Sequence, residues 1–408
     1  MRPHFTEAQF ASAIVAARRQ NAEVSETQET YIDLLRAIAA QLVVLEHACQ
    51  CFLRNSPLAA VPLGSIGVVI FFLISGFLIS YTVLVRSASG NYTFVRFSVD
   101  RFFRIFTAYV PALLIVAAVD TYFCRFPGYQ FNTDLTLHTW LGNLFMLQDY
   151  PLFQIARRVG VDDRWWFIGP FGSGRPFWTV SIEWWIYMLF GWITLVWLRG
   201  TRQLTIRTSI LPAIFMIVPG YHLIGGFGEC LTALWLVGMG FSICFVHGGT
   251  TGWSNVDKYK RSILVLIGIF GLLLIGRLVA TNFRIYDLQT GFFLGSVLFL
   301  ILFLCGAKGI GVPSRAARCA KFAAGYSYSL YLVHNTFVVV VSLMYPNMSH
   351  NGTIFSVAVL GSNVVAIVFW WLFERHYKTL SCWVRGVLNR MRQWSFVVGW
   401  KPKRLAEQ

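Results

Sequence analysis

Of the 408 residues, 56% are hydrophobic and only 13% charged, where soluble domains carry about 25% charged residues. With a mean hydropathy of +0.59, the chain is excluded from the soluble globular classes. Its net charge of +16 falls in short loops and tails between apolar stretches, the positive-inside pattern of membrane proteins; that argues against a nucleic-acid-binding face.

Residues 1–30 are polar, with Arg18, Arg19, Glu23, Glu26 and Glu29. They lack the apolar core and cleavage site of a signal peptide and are expected to form a cytoplasmic N-terminal tail. Tyr31–Leu53 reads as the first span, although it carries Asp33, Arg36, Glu46 and His47. Gly64–Val85 follows without a single charge and is long enough to cross a bilayer. The connector 86–104 is basic, and Ile105–Phe123 spans outward. Leu135–Leu147 is apolar but short, as a re-entrant or interfacial helix would be. The segment 148–176 is placed outside; its run Gly169-Pro170-Phe171-Gly172-Ser173-Gly174 cannot be helical and reads as a mobile loop.

Further spans are expected at Phe177–Leu198, Thr208–Ile224, Leu231–His247, Ser262–Val279, Leu288–Gly306, Phe322–Tyr345 and Ile354–Phe373. Basic clusters recur on one side: Arg199/Arg202/Arg207, Lys258/Lys260/Arg261, Lys308/Arg315/Arg318/Lys321 and the tail beyond Arg375. The pattern closes as an all-α polytopic bundle of ten spans plus one short helix, both termini cytoplasmic. The transmembrane domain runs over 31–377 and a basic cytoplasmic tail over 378–408. Arg157, Arg158 and Arg164 fall on the opposite side to the rule. The eight cysteines form no CxxC pair and no metal-type spacing with histidine; Cys49 and Cys51 read as small apolar residues, and no metal is expected.

Ionisable groups within a bilayer cost several kcal/mol and persist chiefly where function needs them. Arg36 and His47 are eleven residues apart, three helical turns, so they share one face about 16 Å apart along the axis. That face offers an anion-binding group and a proton-handling group. A topology anchor plus a hydrogen-bonding histidine explains the same residues equally well. Counting from the outer helix ends, His47 and Glu183 both lie about 9 Å deep, the depth match a histidine–carboxylate pair requires for general-base work on a hydroxyl. A Glu183 bonded elsewhere in the bundle is the competing reading. Arg101 and Arg104, at i,i+3, suit a phosphate-bearing ligand or serve as anchors at the inner boundary. Ser75-Gly76-Phe77 reads as a close helix-packing point, and His334 either as a buried hydrogen-bonding residue or as part of a site.

These stretches together resemble the acyltransferase 3 family of polytopic membrane acyltransferases. Arg36 followed eleven residues later by His47 is similar to the family's opening motif. Gly67–Ile79 resembles its second-helix signature around Ser-Gly-Phe, and Arg101/Arg104 its Arg-x-x-Arg pair. Trp178-Thr179-Val180-Ser181-Ile182-Glu183 resembles its Trp-Ser-Leu-Ser-Val-Glu stretch, while Ser327–His334 and Glu374-Arg375 fit its last two helices. Three positions depart from the pattern: Trp184 replaces a second acidic residue, Leu34 a glycine, and Asn335 an aromatic.

The resemblance implies an O-acetyltransferase type of enzyme in a bacterial inner membrane. It would take acetyl-CoA from the cytoplasm as acyl donor, with Arg36, Arg101 and Arg104 on its phosphates. The acceptor would be a hydroxyl of a glycan or lipid-linked saccharide outside. His47, oriented by Glu183, would deprotonate that hydroxyl or carry the acyl group itself. Trp165, Trp166 and Trp178 stand near the acceptor entrance or form an interfacial belt. The rival classes are a transporter or flippase, which lacks support from any internal repeat, and a non-catalytic scaffold.

Overall fold

Long apolar runs interrupted by short polar connectors leave the backbone one solution in lipid, the helix, because every N–H and C=O must be satisfied within the segment. The computed structural model describes residues 24–87, 92–148, 150–151, 168–198, 206–224, 230–251, 256–346 and 351–397, and among them no strand occurs. In chain order the helices are α1 Glu26–Phe52, α2 Leu63–Ser87, α3 Phe94–Phe123, α4 Leu137–Leu144, α5 Phe177–Trp192, α6 Ile206–Ile224, α7 Leu231–Thr251, α8 Val256–Ala280, α9 Leu288–Leu304, α10 Ser314–Met344, α11 Gly352–Leu372 and α12 Tyr377–Val397. Short 3₁₀ turns lie at Pro57–Ala60, Asn132–Asp134 and Glu374–His376, and α5 ends in a π turn, Ile193–Trp197.

Among the described residues seven helices are long and apolar enough to cross a membrane, two shorter apolar stretches lie at Ile210–Leu223 and Leu288–Leu304, and α1 carries Asp33, Arg36, Glu46 and His47 half-buried in the bundle. A helix stands at each of the ten expected positions, and the chain is an integral membrane helix bundle. Local sequence fixes several boundaries. Ser25 and Gln28 form a reciprocal capping box that starts α1, Thr93 caps α3 and Asn351 caps α11; each supplies an acceptor to otherwise orphaned N–H groups.

α1 is enclosed by α2, α10 and α11, so its polar face looks into the protein. α2 lies along α7 at a separation only glycines permit. A Cβ on Gly76 would stand 2.0 Å from the Trp235 carbonyl oxygen, and one on Gly238 would stand 2.1 Å from that of Leu73. The packing reading of Ser75-Gly76-Phe77 therefore holds. α8 contacts chiefly α9 and exposes Leu272, Ile275 and Val279, a lipid-facing surface.

Two expectations are corrected. The basic segment after residue 377 is not a plain tail: Tyr377–Val397 is helical and docks on α3, where Arg385 and Ser381 meet Asp100 at 3.1 and 2.9 Å. Gly169–Gly174 is no surface loop either, since all six residues are buried. A buried strap must find partners for its backbone polar groups. Asn143 donates to the Gly169 carbonyl (2.8 Å) and accepts from the Phe171 N–H (3.1 Å). Asp120 accepts from Ser173. Arg157, Arg158, Arg164, Trp165, Trp166, Arg199 and Arg202 lie outside the described residues.

Candidate active site

The structure divides the expected site residues between two cavities that adjoin along α1. The first, of about 260 Å³, is lined by Arg36, Arg101 and Arg104 together with Glu183, Ser75 and Tyr187. All three expected anion-binding arginines thus face one space, although Arg36 comes from α1 and the other two from α3. Their partners differ. Arg36 lies 3.5 Å from Asp33, one turn back on its own helix. Arg104 is 2.5 Å from Glu374 and packs against the Tyr328 and Tyr377 rings. Arg101 has a buried Nε with no hydrogen-bond partner. An unsatisfied buried guanidinium N–H carries a full desolvation cost, which an anionic ligand at Arg101 would remove, whereas Arg104 is already paired.

The second cavity, of about 700 Å³, is lined by His47, Glu46, Asn335, Trp178 and Tyr286, with Arg54, Asp134 and Arg175 towards its rim. Val68 and Tyr331 line both cavities and form their common wall; the Tyr331 hydroxyl shares a 2.5 Å hydrogen bond with Thr179 Oγ1. Glu46 accepts from the Gly64 N–H at 2.5 Å and from Gln50 at 3.1 Å.

His47 does not hydrogen-bond Glu183. Its Nδ1 lies 2.5 Å from Asn335 Oδ1, and Glu183 instead accepts from the Tyr187 hydroxyl one turn along α5. Depth along a helix fixes height but not azimuth: Glu183 points into the arginine cavity, on the other side of the wall from His47. Tyr187 continues the contact, meeting Ser75 Oγ at 2.8 Å, which also accepts from Trp235 Nε1.

The Asn335 contact defines the state of His47. Asn335 Nδ2 donates to the Ser173 carbonyl at 2.6 Å. A carbonyl only accepts, so the amide nitrogen faces Ser173 and the amide oxygen faces His47. Nδ1 of His47 therefore carries a proton, and in the neutral ring Nε2 keeps its lone pair. A second histidine packs against it: the His334 ring is 5.0 Å away, centroid to centroid. His334 is fully buried, donates from Nδ1 to the Leu330 carbonyl at 2.9 Å, and has an Nε2 without a partner. Asn335 was missed in the sequence, where it stood out only as a departure from the family pattern. The available signal was the polar run His334-Asn335-Thr336 inside an apolar helix.

This geometry belongs to a class: a membrane-embedded helix bundle that brings a cationic cavity and a histidine of fixed tautomer to either side of one wall. The family model for an acyltransferase domain matches residues 29–375, and the chain belongs to that family, acyltransferase 3. It is 24% identical over 366 residues to an O-acetyl transferase of Shigella phage Sf6, across 86% of this chain and 96% of that protein. No solved structure matches it.

Proposed function

We propose that this enzyme moves an acetyl group from acetyl-CoA to a hydroxyl of an extracytoplasmic glycan, with the two cavities as donor and acceptor compartments. The observation that carries the reading is the adjacency of the arginine cavity and the His47 cavity across Val68 and Tyr331. The similarity to an O-acetyl transferase supports the acyl group and a hydroxyl acceptor.

On this reading the donor enters from the cytoplasmic side and places its phosphates at Arg36 and Arg101, charge-assisted contacts stronger than neutral hydrogen bonds. Arg104, already paired with Glu374, shapes the cavity and adds field. The thioester reaches the Tyr331 wall. The acceptor hydroxyl approaches from the larger cavity, where Trp178 and Tyr286 offer ring faces to a sugar. His47 Nε2 takes the hydroxyl proton as the oxygen attacks the thioester carbonyl. The C–O bond forms, the C–S bond breaks, and the proton passes to the departing thiolate. Glu183 belongs to the donor compartment.

The test uses membrane vesicles from cells making the full chain, supplied with acetyl-labelled acetyl-CoA, with label followed into glycan. His47→Ala inserted at the wild-type level is expected to lose at least about 100-fold in rate, the usual contribution of a general base. Glycan labelling at the wild-type rate would sink the proposal.

A further inference from the structure

We infer that Asn335 is the positioning residue of His47, and that it takes its own orientation from the buried glycine-rich strap. The inference rests on the proposed role of His47 and adds what selects its reactive form.

Four parts of the chain meet in one hydrogen-bonded series. Asp120, near the end of α3, accepts from the Ser173 N–H at 2.6 Å and from Ser173 Oγ at 2.9 Å. Ser173 Oγ also shares a 2.8 Å contact with Thr336 Oγ1 on α10. The Ser173 carbonyl accepts from Asn335 Nδ2, and Asn335 Oδ1 meets His47 Nδ1 on α1. Asp120, Ser173 and Asn335 are all buried, which strengthens the bonds among them, and the series reaches the larger cavity at His47. The strap is shaped for the carboxylate: Gly172 has a φ of +52°, and a Cβ there would stand 2.2 Å from Asp120 Oδ2. Glycine alone gives both that backbone and that approach.

The series has a chemical consequence. A histidine of the opposite tautomer would present N–H to the acceptor hydroxyl and could not take its proton. With Asn335 locked by a carbonyl, the Nδ1–H form is the only neutral tautomer that satisfies the site, and its Nε2 lone pair is left for the cavity.

Other groups around His47 do not substitute for it. Glu46, on the same helix, is engaged by Gly64 and Gln50. From α10 come His334, whose Nδ1 is committed to Leu330, and Tyr331, committed to Thr179. The lining also includes Arg54, just past the end of α1, Tyr286, and the Asp134–Arg175 pair at 3.0 Å. The packed faces of α2 and α11 bring no charged side chain to it.

The experiment measures glycan labelling from acetyl-labelled acetyl-CoA against pH, in vesicles of the full chain, for N335L and N335D. N335L removes both bonds and is expected to lose about 100-fold in rate with little change in donor KM. N335D keeps an acceptor for Nδ1–H but loses the donor to Ser173. It is expected to recover most of that rate, with the acid limb of the pH profile moved to higher pH, because a carboxylate stabilises the protonated imidazole that must first lose its proton. A purely structural Asn335, serving only to tie down the strap, would leave both variants equally impaired and the limb unmoved; that result overturns the inference, as does full activity of N335L. Should N335L fail to insert, N335D decides alone: an unmoved limb overturns it. His47→Ala, run alongside, separates the levels. If it is active the proposed function fails; if it is dead while N335L and N335D match wild type, only the inference fails.

Discussion

The two cavities are built in opposite ways. The arginine cavity draws its charge from residues close in sequence on α3 and from one turn of α1, and its ion pairs offset one another: Arg36 with Asp33, Arg104 with Glu374. The histidine cavity carries its key group at the end of a relay whose members lie 53, 162 and 288 positions apart. The first is a pool of cationic field that tolerates some rearrangement. The second is a single orientation, lost when any member moves. On the proposed reading, donor binding and acceptor activation should therefore fail differently when perturbed.

Arg104 gives the largest effect on stability. Glu374 is 2% exposed and also accepts from the Ser329 N–H and hydroxyl at 3.0 and 2.6 Å. Arg104→Ala strands that carboxylate, and breaking a buried pair from one side costs about 3–5 kcal/mol. A thermal-unfolding series in detergent should show this loss and its partial recovery in the double variant with Glu374→Gln. An Arg104→Ala protein as stable as wild type, but unable to bind donor, would mean that Arg104 is a ligand group rather than a structural one.

Glu183→Gln sharpens the comparison from the other side. Its amide oxygen still accepts from Tyr187, and the arginine cavity loses one negative charge. The expected result is a few-fold fall in donor KM with the acid limb of the pH profile in place. A displaced limb would mean that Glu183 acts on His47 across the wall.

What was legible in the sequence follows the same division. Hydropathy placed a helix at every expected span, because twenty apolar residues have few alternatives in lipid. The grouping of Arg36, Arg101 and Arg104 was readable because each sits near the same end of its helix. The His47–Glu183 pairing was not, since helical arithmetic supplies height and leaves rotation about each axis to tertiary packing. Burial of the Gly169–Gly174 strap escaped for a related reason. Its glycines mark irregular backbone, which is commonest at surfaces, and only the distant Asp120 and Asn143 make such backbone tolerable inside. α12 escaped because its basic residues read as topology, while Asp100, the group that docks it, lies on α3.

The smallest effect lies at the edge of the histidine cavity, where Tyr286 lines the space and its neighbour Asp287 begins α9. Asp287 Oδ2 accepts from the Thr290 N–H at 3.0 Å and hydroxyl at 2.9 Å, and the carboxylate receives Arg277 at 3.2 Å through two nitrogens. Burial alone would push the Asp287 carboxyl up, but the bonds from Arg277 and Thr290 outweigh it and hold the group below its ordinary value. A carboxylate depressed in the folded state adds stability at every pH above its unfolded value of about 3.9 and loses it as pH falls through the folded one. Asp287→Ala should therefore cost about 1 kcal/mol, the worth of a helix N-cap, at pH 7. The gap from wild type should stay constant down to about pH 4 and close only below it. If the gap instead narrows between pH 7 and 5, the cap is not what Asp287 contributes, and its tie to Arg277 must be weighed against groups that titrate nearer neutrality. Acceptor KM should move with the cap only through Tyr286, so a loss of acceptor affinity without a loss of stability would place Asp287 in the acceptor compartment itself.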